Sequence, residues 1–342
     1  ALAVLRVYPD GRENLALAFD SSWFLTHAQA LGYGIVNWVT RGVFLGERRV
    51  YLSAQIDDLF IASDIFGSDR DYRATGADFK AVVNWQKQKQ SRSATSSLKM
   101  AMAFNGVGTV RGEYPNDTLV PMAVKERDEF VDVVGVDLRD LEEITASDAR
   151  RELVSNIDVA RSLRLTGFTP ATLVTPRITG LDNPEFLRVA AEVGVRYVVS
   201  DTSRPNHGNP APNQGFFNAL QPNILVIPRR PTNLFYNVST PAEWVNEYNF
   251  LYRIYWGRDL SYAEILDFES DQILGHLLLG DIDPLMFHQA NLRAYDGRRT
   301  TLGDLLDRTL AKYEALYRLP ILSPGMAGLG QRMINRMQWN PS

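Results

Sequence analysis

The sequence predicts an α/β fold built on a parallel sheet closed, or nearly closed, into a barrel, and two observations carry that prediction. Short apolar runs alternate with amphipathic runs from about residue 50 to residue 317, the pattern of repeated strand–helix units. Polar side chains recur where the apolar runs stop: Asp57 and Asp58, Asn105, the 134–140 segment, Arg177, Asp201 and His288. In a parallel barrel such positions gather on the rim at the C-terminal ends of the strands.

Taken in order, "LALAFD" (15–20) and "VYLSA" (50–54) read as strands, the second followed at once by the acid pair. Residues 77–90 have helical spacing, and "LKMAMAF" (98–104) alternates toward a strand end at Asn105. "FVDVVGV" (130–136) is the next strand, and 147–165 is an amphipathic helix with Ser147 as its expected N-cap. After the strand "ATLVTP" (171–176), Asn183, Pro184 and Gly194 mark the start and stop of a helix that leads into "VRYVVSD" (195–201). "NILVIP" (223–228), helices near 241–253 and 261–278, "PLMFH" (284–288) and a helix over 302–317 complete the series. The Pro-, Gly- and Asn-rich stretch 204–215 is a loop. Residues 1–45 do not fit the repeating unit and read as a lead-in, the end of a preceding module, before a barrel domain over 46–342.

Composition narrows the function. A chain of 342 residues, 45% apolar, supports a sizeable core, and a net charge of −4 with pI near 5.7 offers no basic excess for nucleic acid or an anionic membrane. No apolar run is long enough to span a bilayer, and the opening "ALAVLRVYPDG" has neither an initiator Met nor a leader pattern, as expected of a processed or a cut chain. Without cysteine there is no thiol nucleophile and no thiolate-bound zinc. Imidazole chemistry is limited to His27, His207, His276 and His288.

An acid pair after a strand is, by itself, most often a solvated turn. Here it is one of six polar strand ends, and the surrounding motifs resemble a family. "SAQIDDLF" is similar to the first motif of the NodB-type polysaccharide deacetylases, and "TLVTPRITGLDNPEFLRVAAEVGVRYVVSD" to their arginine/proline motif with its helix and next strand. "MAFNGVG" (102–108), "PRITGLDN" (176–183) and "MFHQANLR" (286–293) resemble the deacetylases of galactosaminogalactan-type exopolysaccharides, carbohydrate esterase family 18-like proteins. The resemblance covers about residues 40 to 325.

It implies a distorted (β/α) barrel of the NodB type and a secreted or extracytoplasmic protein that acts on, or binds, an N-acetylhexosamine polysaccharide. In the family a divalent ion, usually zinc, polarises the amide carbonyl and activates water. Carried over, the resemblance makes Asp57 the general base, Asp58 a metal ligand, Arg177 the cation that orients the base, and His288 the general acid. Asn105, Trp256 and Asn291 are the substrate-binding candidates. Buried asparagines that satisfy loop backbone compete with that reading. Most aromatic residues of 233–260 are expected in the core, because Trp244, Tyr248, Leu251 and Tyr255 share one helical stripe.

One departure separates the chain from the family pattern. The two metal-binding histidines would stand at Val134 and Leu138, and no histidine occurs between His27 and His207. Three outcomes follow: a glycan- or partner-binding pseudoenzyme without metal; a site rebuilt from Asp58 with Asp137, Asp140 or His207, its oxygen donors favouring Mg, Ca or Mn over zinc; or metal-free chemistry by Asp57, Asp58 and His288. If the two aspartates sit together on the rim without a cation, repulsion should raise the pKa of one. A glycoside hydrolase would need its two carboxylates across a cleft roughly 5–9.5 Å wide. A dinucleotide enzyme would need more than the G-x-G of "FNGVGTVRG".

Overall fold

The structure is a computed structural model that describes residues 2–43, 48–110, 112–135, 140–201 and 213–339. The chain divides into two compact units, Ala1–Arg48 and Arg49–Ser342. In the first, β1 (Ala3–Val7) and β2 (Glu13–Leu17) form an antiparallel hairpin. The stretch that fitted no barrel unit is a helix, α1 (Thr26–Val39), joined to the hairpin by the Trp38 indole N–H donating to Glu13 at 3.0 Å.

The second unit runs β3 (Val50–Tyr51), β4 (Ala54–Leu59), β5 (Ser63–Asp64), β6 (Asp71–Tyr72), α2 (Gly76–Gln90), β7 (Ala101–Phe104), α3 (Leu119–Lys125), β8 (Val131–Gly135) and α4 (Ala146–Leu163). It continues with β9 (Thr172–Val174), α5 (Pro184–Glu192), β10 (Tyr197–Asp201), β11 (Phe216–Phe217), β12 (Leu225–Pro231), α6 (Pro241–Trp256) and α7 (Tyr262–Leu279). It ends with β13 (Leu285–His288), α8 (Thr301–Leu316), β14 (Ile321–Leu322) and α9 (Met326–Trp339). Among the described residues no helix is long and apolar enough to cross a membrane.

Seven parallel strands form a ring in the order β4, β7, β8, β9, β10, β12, β13 and back to β4. This is the predicted (β/α) barrel, and its distortion lies at β12. The start of that strand, Leu225 and Val226, pairs with the antiparallel β11, and only its end, Arg230 and Pro231, pairs with β13. Pro228 falls between these two neighbours, where its missing N–H breaks no ladder bond on that edge. The sequence reading stopped this strand at Pro228, and in the structure it carries on through Pro231.

Alternation along the strands sorts the core. Ile56, Met102 and Phe104 pack outward with Phe79, Val82 and Val83 of α2 and with α7 and α8, while Leu173, Val198 and Val226 pack against α4 and α5. A third cluster brings Ala101, Ala103, Val174, Val199 and Ile227 together with Met326, Leu329 and Met333 of α9, so the C-terminal helix supplies apolar filling to these strands. Its approach is close enough that a Cβ on Gly330 would lie 2.3 Å from the Tyr197 ring.

Local chemistry sets the helix starts. Thr145 caps α4, accepting from the Asp148 N–H at 3.2 Å, so the cap lies two residues before the expected Ser147. Asn183 caps α5 with Pro184 in the first position, as predicted. In α6 the buried stripe is Trp244 and Tyr248, flanked by the half-buried Tyr252, whereas Leu251 and Tyr255 are 50% and 76% exposed. The expected fourfold stripe is therefore corrected: the face turned to α7 and the 233–235 loop runs through Trp244, Tyr248, Tyr252 and Trp256.

Candidate functional site

Asp57 and Asp58 lie within β4, not after a strand ending at residue 54. Between Ile56 and Leu59 the register with β7 slips by a bulge, and the backbone turns left-handed at Asp58 (φ +62°) and Phe60 (φ +83°). For non-glycine residues that conformation costs about 1–3 kcal/mol each, a cost met most often at functional sites. The bulge also explains the "FNGVG" motif. The Asn105 N–H donates to the Leu59 carbonyl at 3.1 Å, and the Asn105 side chain caps the 106–109 turn through the Val107 N–H at 3.1 Å. A Cβ on Gly108 would lie 2.0 Å from the Phe60 carbonyl oxygen, so only glycine allows the turn to lie this close to the bulge.

Asp57 is 7% exposed and paired with Arg229 of β12 at 2.6 Å. The same guanidinium donates to Gln55 Oε1 at 3.1 Å. His288, the last residue of β13, is in direct parallel register with Asp57. Burial pushes its imidazole down to about pKa 4, with Asp57 pulling the other way and Arg229 adding to the fall. Asp58 is pushed up to about 7, first by burial, then by Asp57, against the opposing charge of Arg229. A cation is thus present at the acid pair, and desolvation outweighs mutual repulsion.

The candidates implied by the resemblance divide into three groups. Asp57, Asp58 and His288 are brought together, with Arg229 as the cation. Arg177 is exposed, in a short turn after β9 with φ +50°, and no ion pair joins it to Asp57 among the described residues. Its charge acts instead on Tyr236, whose hydroxyl is raised by burial and by Asp64. The Tyr236 ring meets His288 edge-on, with centroids 5.7 Å apart.

Asn291 is fully buried and wholly occupied by backbone: Oδ1 accepts from the His288 N–H, and Nδ2 donates to the carbonyls of Phe235 and Val238, each at 2.9 Å. It fixes the loop that carries Tyr236 against His288. Trp256, at the end of α6, packs half-buried against Phe268 of α7, 4.8 Å between centroids. Of the three substrate-binding candidates, Asn105 and Asn291 hold backbone and Trp256 contacts helix residues.

Arg229 was missed because its strand was read as ending at Pro228. The doublet of arginines continuing an apolar run, "VIPRRP", was the available signal. Tyr236 was noticed only as one aromatic among eight.

A metal needs several donors converging on one point. Among the described residues no group of three or more His, Asp or Glu side chains is placed to hold one. Val134 lies on β8, in register with Phe104 and Leu173. Asp140 is exposed and accepts from the Glu142 N–H at 2.9 Å. Leu138, Asp137 and His207 lie outside the described residues. The described donors do not make up the family's metal shell.

Comparison with known proteins follows the same lines. The family model of the Agd3 deacetylase domain matches residues 52–129 and 122–339. Among solved structures, that of Agd3, a carbohydrate deacetylase, superposes with a TM-score of 0.88 at 22% identity, over 98% of this chain and 61% of that one. A putative glycoside hydrolase/deacetylase from Parabacteroides distasonis superposes with a TM-score of 0.51 at 11% identity, over 87% and 73%. The chain therefore spans about three-fifths of the Agd3 structure, and at these identities the likeness establishes the fold. No individually curated protein sequence matches.

Proposed function

The chain belongs to the Agd3 deacetylase domain family, and on that premise we propose that it takes an N-acetylhexosamine polysaccharide at the C-terminal mouth of the barrel and hydrolyses the N-acetyl amide there. The observation that carries this reading is the buried Asp57–Arg229 pair in register with a half-buried, neutral His288, with Asp57 beside the left-handed bulge of β4. Left-handed backbone and a buried charge are costly features that a purely structural strand end would not require.

In the proposed reaction Asp57, oriented by Arg229 and Gln55, takes a proton from water as its oxygen bonds to the amide carbon. The C–N bond then breaks: the acyl carbon keeps the water oxygen and leaves as acetic acid, which ionises to acetate on release, and the amine gains the proton taken from water. His288 starts neutral and acts as the relay, accepting at one ring nitrogen and donating from the other. Such a substrate would place the protein outside the cytoplasm.

A second reading, glycan binding without hydrolysis, is favoured by the lack of three converging metal donors among the described residues. One experiment separates the two. The protein and Asp57→Asn are incubated with N-acetylhexosamine oligomers, with and without added divalent metals; released acetate is quantified, and binding is followed by affinity electrophoresis. Acetate released by wild type alone supports hydrolysis, retention without acetate supports the pseudoenzyme, and neither refutes both.

A further inference from the structure

We propose that the glycan surface continues beyond the mouth as a track of three aromatic rings, Tyr236, Phe66 and Phe250, which grips successive sugars and makes the protein select polymer over single sugar. This rests on the reading that the mouth takes an N-acetylated glycan. The track begins where Tyr236 meets the ring of His288. Asp64, at the end of β5, lies near enough to the Tyr236 hydroxyl to hold its pKa up, after burial. Two residues on, the Phe66 N–H donates to the carbonyl of Asn237 at 2.9 Å, tying this loop alongside the one that carries Tyr236. The Phe66 ring then meets Phe250 of α6, with centroids 5.6 Å apart at 49°. Beneath these rings, with its amide oriented to donate, Asn237 Nδ2 lies 2.7 Å from the Glu247 carboxylate. Glu247 and Phe250 fall on one helical face, three residues apart.

Three features favour a sugar chain as occupant. The loop carrying Phe66 is tied by a backbone bond to the loop carrying Tyr236 at the mouth, and Phe66 in turn meets Phe250. Tyr236 and Phe250 are 47% and 74% exposed, although each touches another ring. Planar polar groups, Asp64 and the Tyr236 hydroxyl, accompany the rings, and a pyranose needs both: an apolar face against an aromatic plane and hydroxyls against fixed donors and acceptors. A single sugar in the mouth would leave Phe66 and Phe250 untouched, whereas a polymer threading the mouth would cover them.

The test compares binding of N-acetylglucosamine and N-acetylgalactosamine hexasaccharides with that of the monosaccharides, by calorimetry, on the full chain. Wild type is expected to favour the hexasaccharide, and Phe250→Ala and Phe66→Ala to lower the hexamer-to-monomer affinity ratio about tenfold, with Phe250→Tyr retaining it. Unchanged near-ultraviolet circular dichroism identifies the folded variants. If wild type prefers the hexasaccharide and both alanine variants keep the ratio, the track is wrong and the mouth reading survives. If wild type binds neither sugar, the mouth reading itself fails and the track fails with it. A dimer in light scattering that Phe250→Ala converts to monomer would assign this face to a second copy of the chain and overturn the proposal.

Discussion

Replacing Arg229 with methionine tests the ion pair on which the mouth is built. Its guanidinium lies 2.6 Å from Asp57, and the two side chains are 6% and 10% exposed. With charge centres roughly 4 Å apart and an effective dielectric of about 20, their attraction is about 4 kcal/mol. Removing one partner strands the other charge, so Arg229→Met is expected to lose about 3–5 kcal/mol of stability. The same centre carries three buried atoms without a hydrogen-bond partner among the described residues: Gln55 Nε2, Asp57 Oδ1 and Arg229 Nε. Each costs about 1–3 kcal/mol. The triple variant Gln55→Leu/Asp57→Leu/Arg229→Met is therefore expected to recover the whole loss and to match or exceed wild type by about 1–4 kcal/mol, as apolar replacements of buried ion pairs do. Urea unfolding followed by tryptophan fluorescence, with the midpoint and slope fitted separately, reads both variants. A single variant within about 1 kcal/mol of wild type would show that water solvates the pair. A triple variant no more stable than the single would show that the polar centre stabilises the fold, and the argument that it is kept for chemistry would fall.

Three further outcomes follow from the same geometry. Asn291→Ala removes three buried bonds to backbone, and at about 1–3 kcal/mol for each stranded group it should cost at least ~3 kcal/mol and quicken hydrogen exchange at Val238 and His288; exchange rates equal to wild type would contradict the placement of that side chain. Gly108→Ala drives a Cβ into the Phe60 carbonyl, and the strain should lower stability by about 1–3 kcal/mol and also reduce any amide hydrolysis, because the displaced carbonyl belongs to the bulge beside Asp58; a fully stable Gly108→Ala would count against the close approach. The third concerns pH. Asp58 has its folded pKa raised from 3.8 to about 7, so between these values the native state holds the extra proton, and its contribution to stability falls as pH rises through that window. His288 is lowered from 6.5 to about 4, so the unfolded state holds its extra proton and stability rises with pH between 4 and 6.5. Asp58→Asn should remove the falling component and His288→Gln the rising one, each changing the slope by about one proton in denaturation midpoints measured across pH 4–7; parallel profiles for all three proteins would refute the assignments.

Much of the barrel was legible from the chain. Period-two and period-3.6 patterning, caps such as Asn183–Pro184 and stops such as Gly194 depend on near neighbours, and they placed most strands and helices. The motif "FNGVG" was visible as a motif, but its reason was not: Gly108 is required by the carbonyl of Phe60, 48 residues earlier, and that approach exists only once β4 and β7 are paired. Ser147 is a good cap by residue type, but the helix starts at Thr145, whose backbone is extended (ψ 158°) and whose side chain accepts from the Asp148 N–H.

Legible in the string of residues were an α/β series of strand–helix units, an acid pair beside an apolar run, His288 at a strand end and the lack of imidazole between His27 and His207. These are matters of composition, period and order, which a one-dimensional string carries. Which cation stands at Asp57 depends on the folded chain. Arg177 and Arg229 both follow an apolar run in the sequence, but β12 continues past Pro228 and sets Arg229 against Asp57, while the left-handed turn after β9 leaves Arg177 at the surface. The protonation of the site also depends on the folded chain, because burial, the leading cause for both Asp58 and His288, is a property of the closed barrel and of no local stretch of chain.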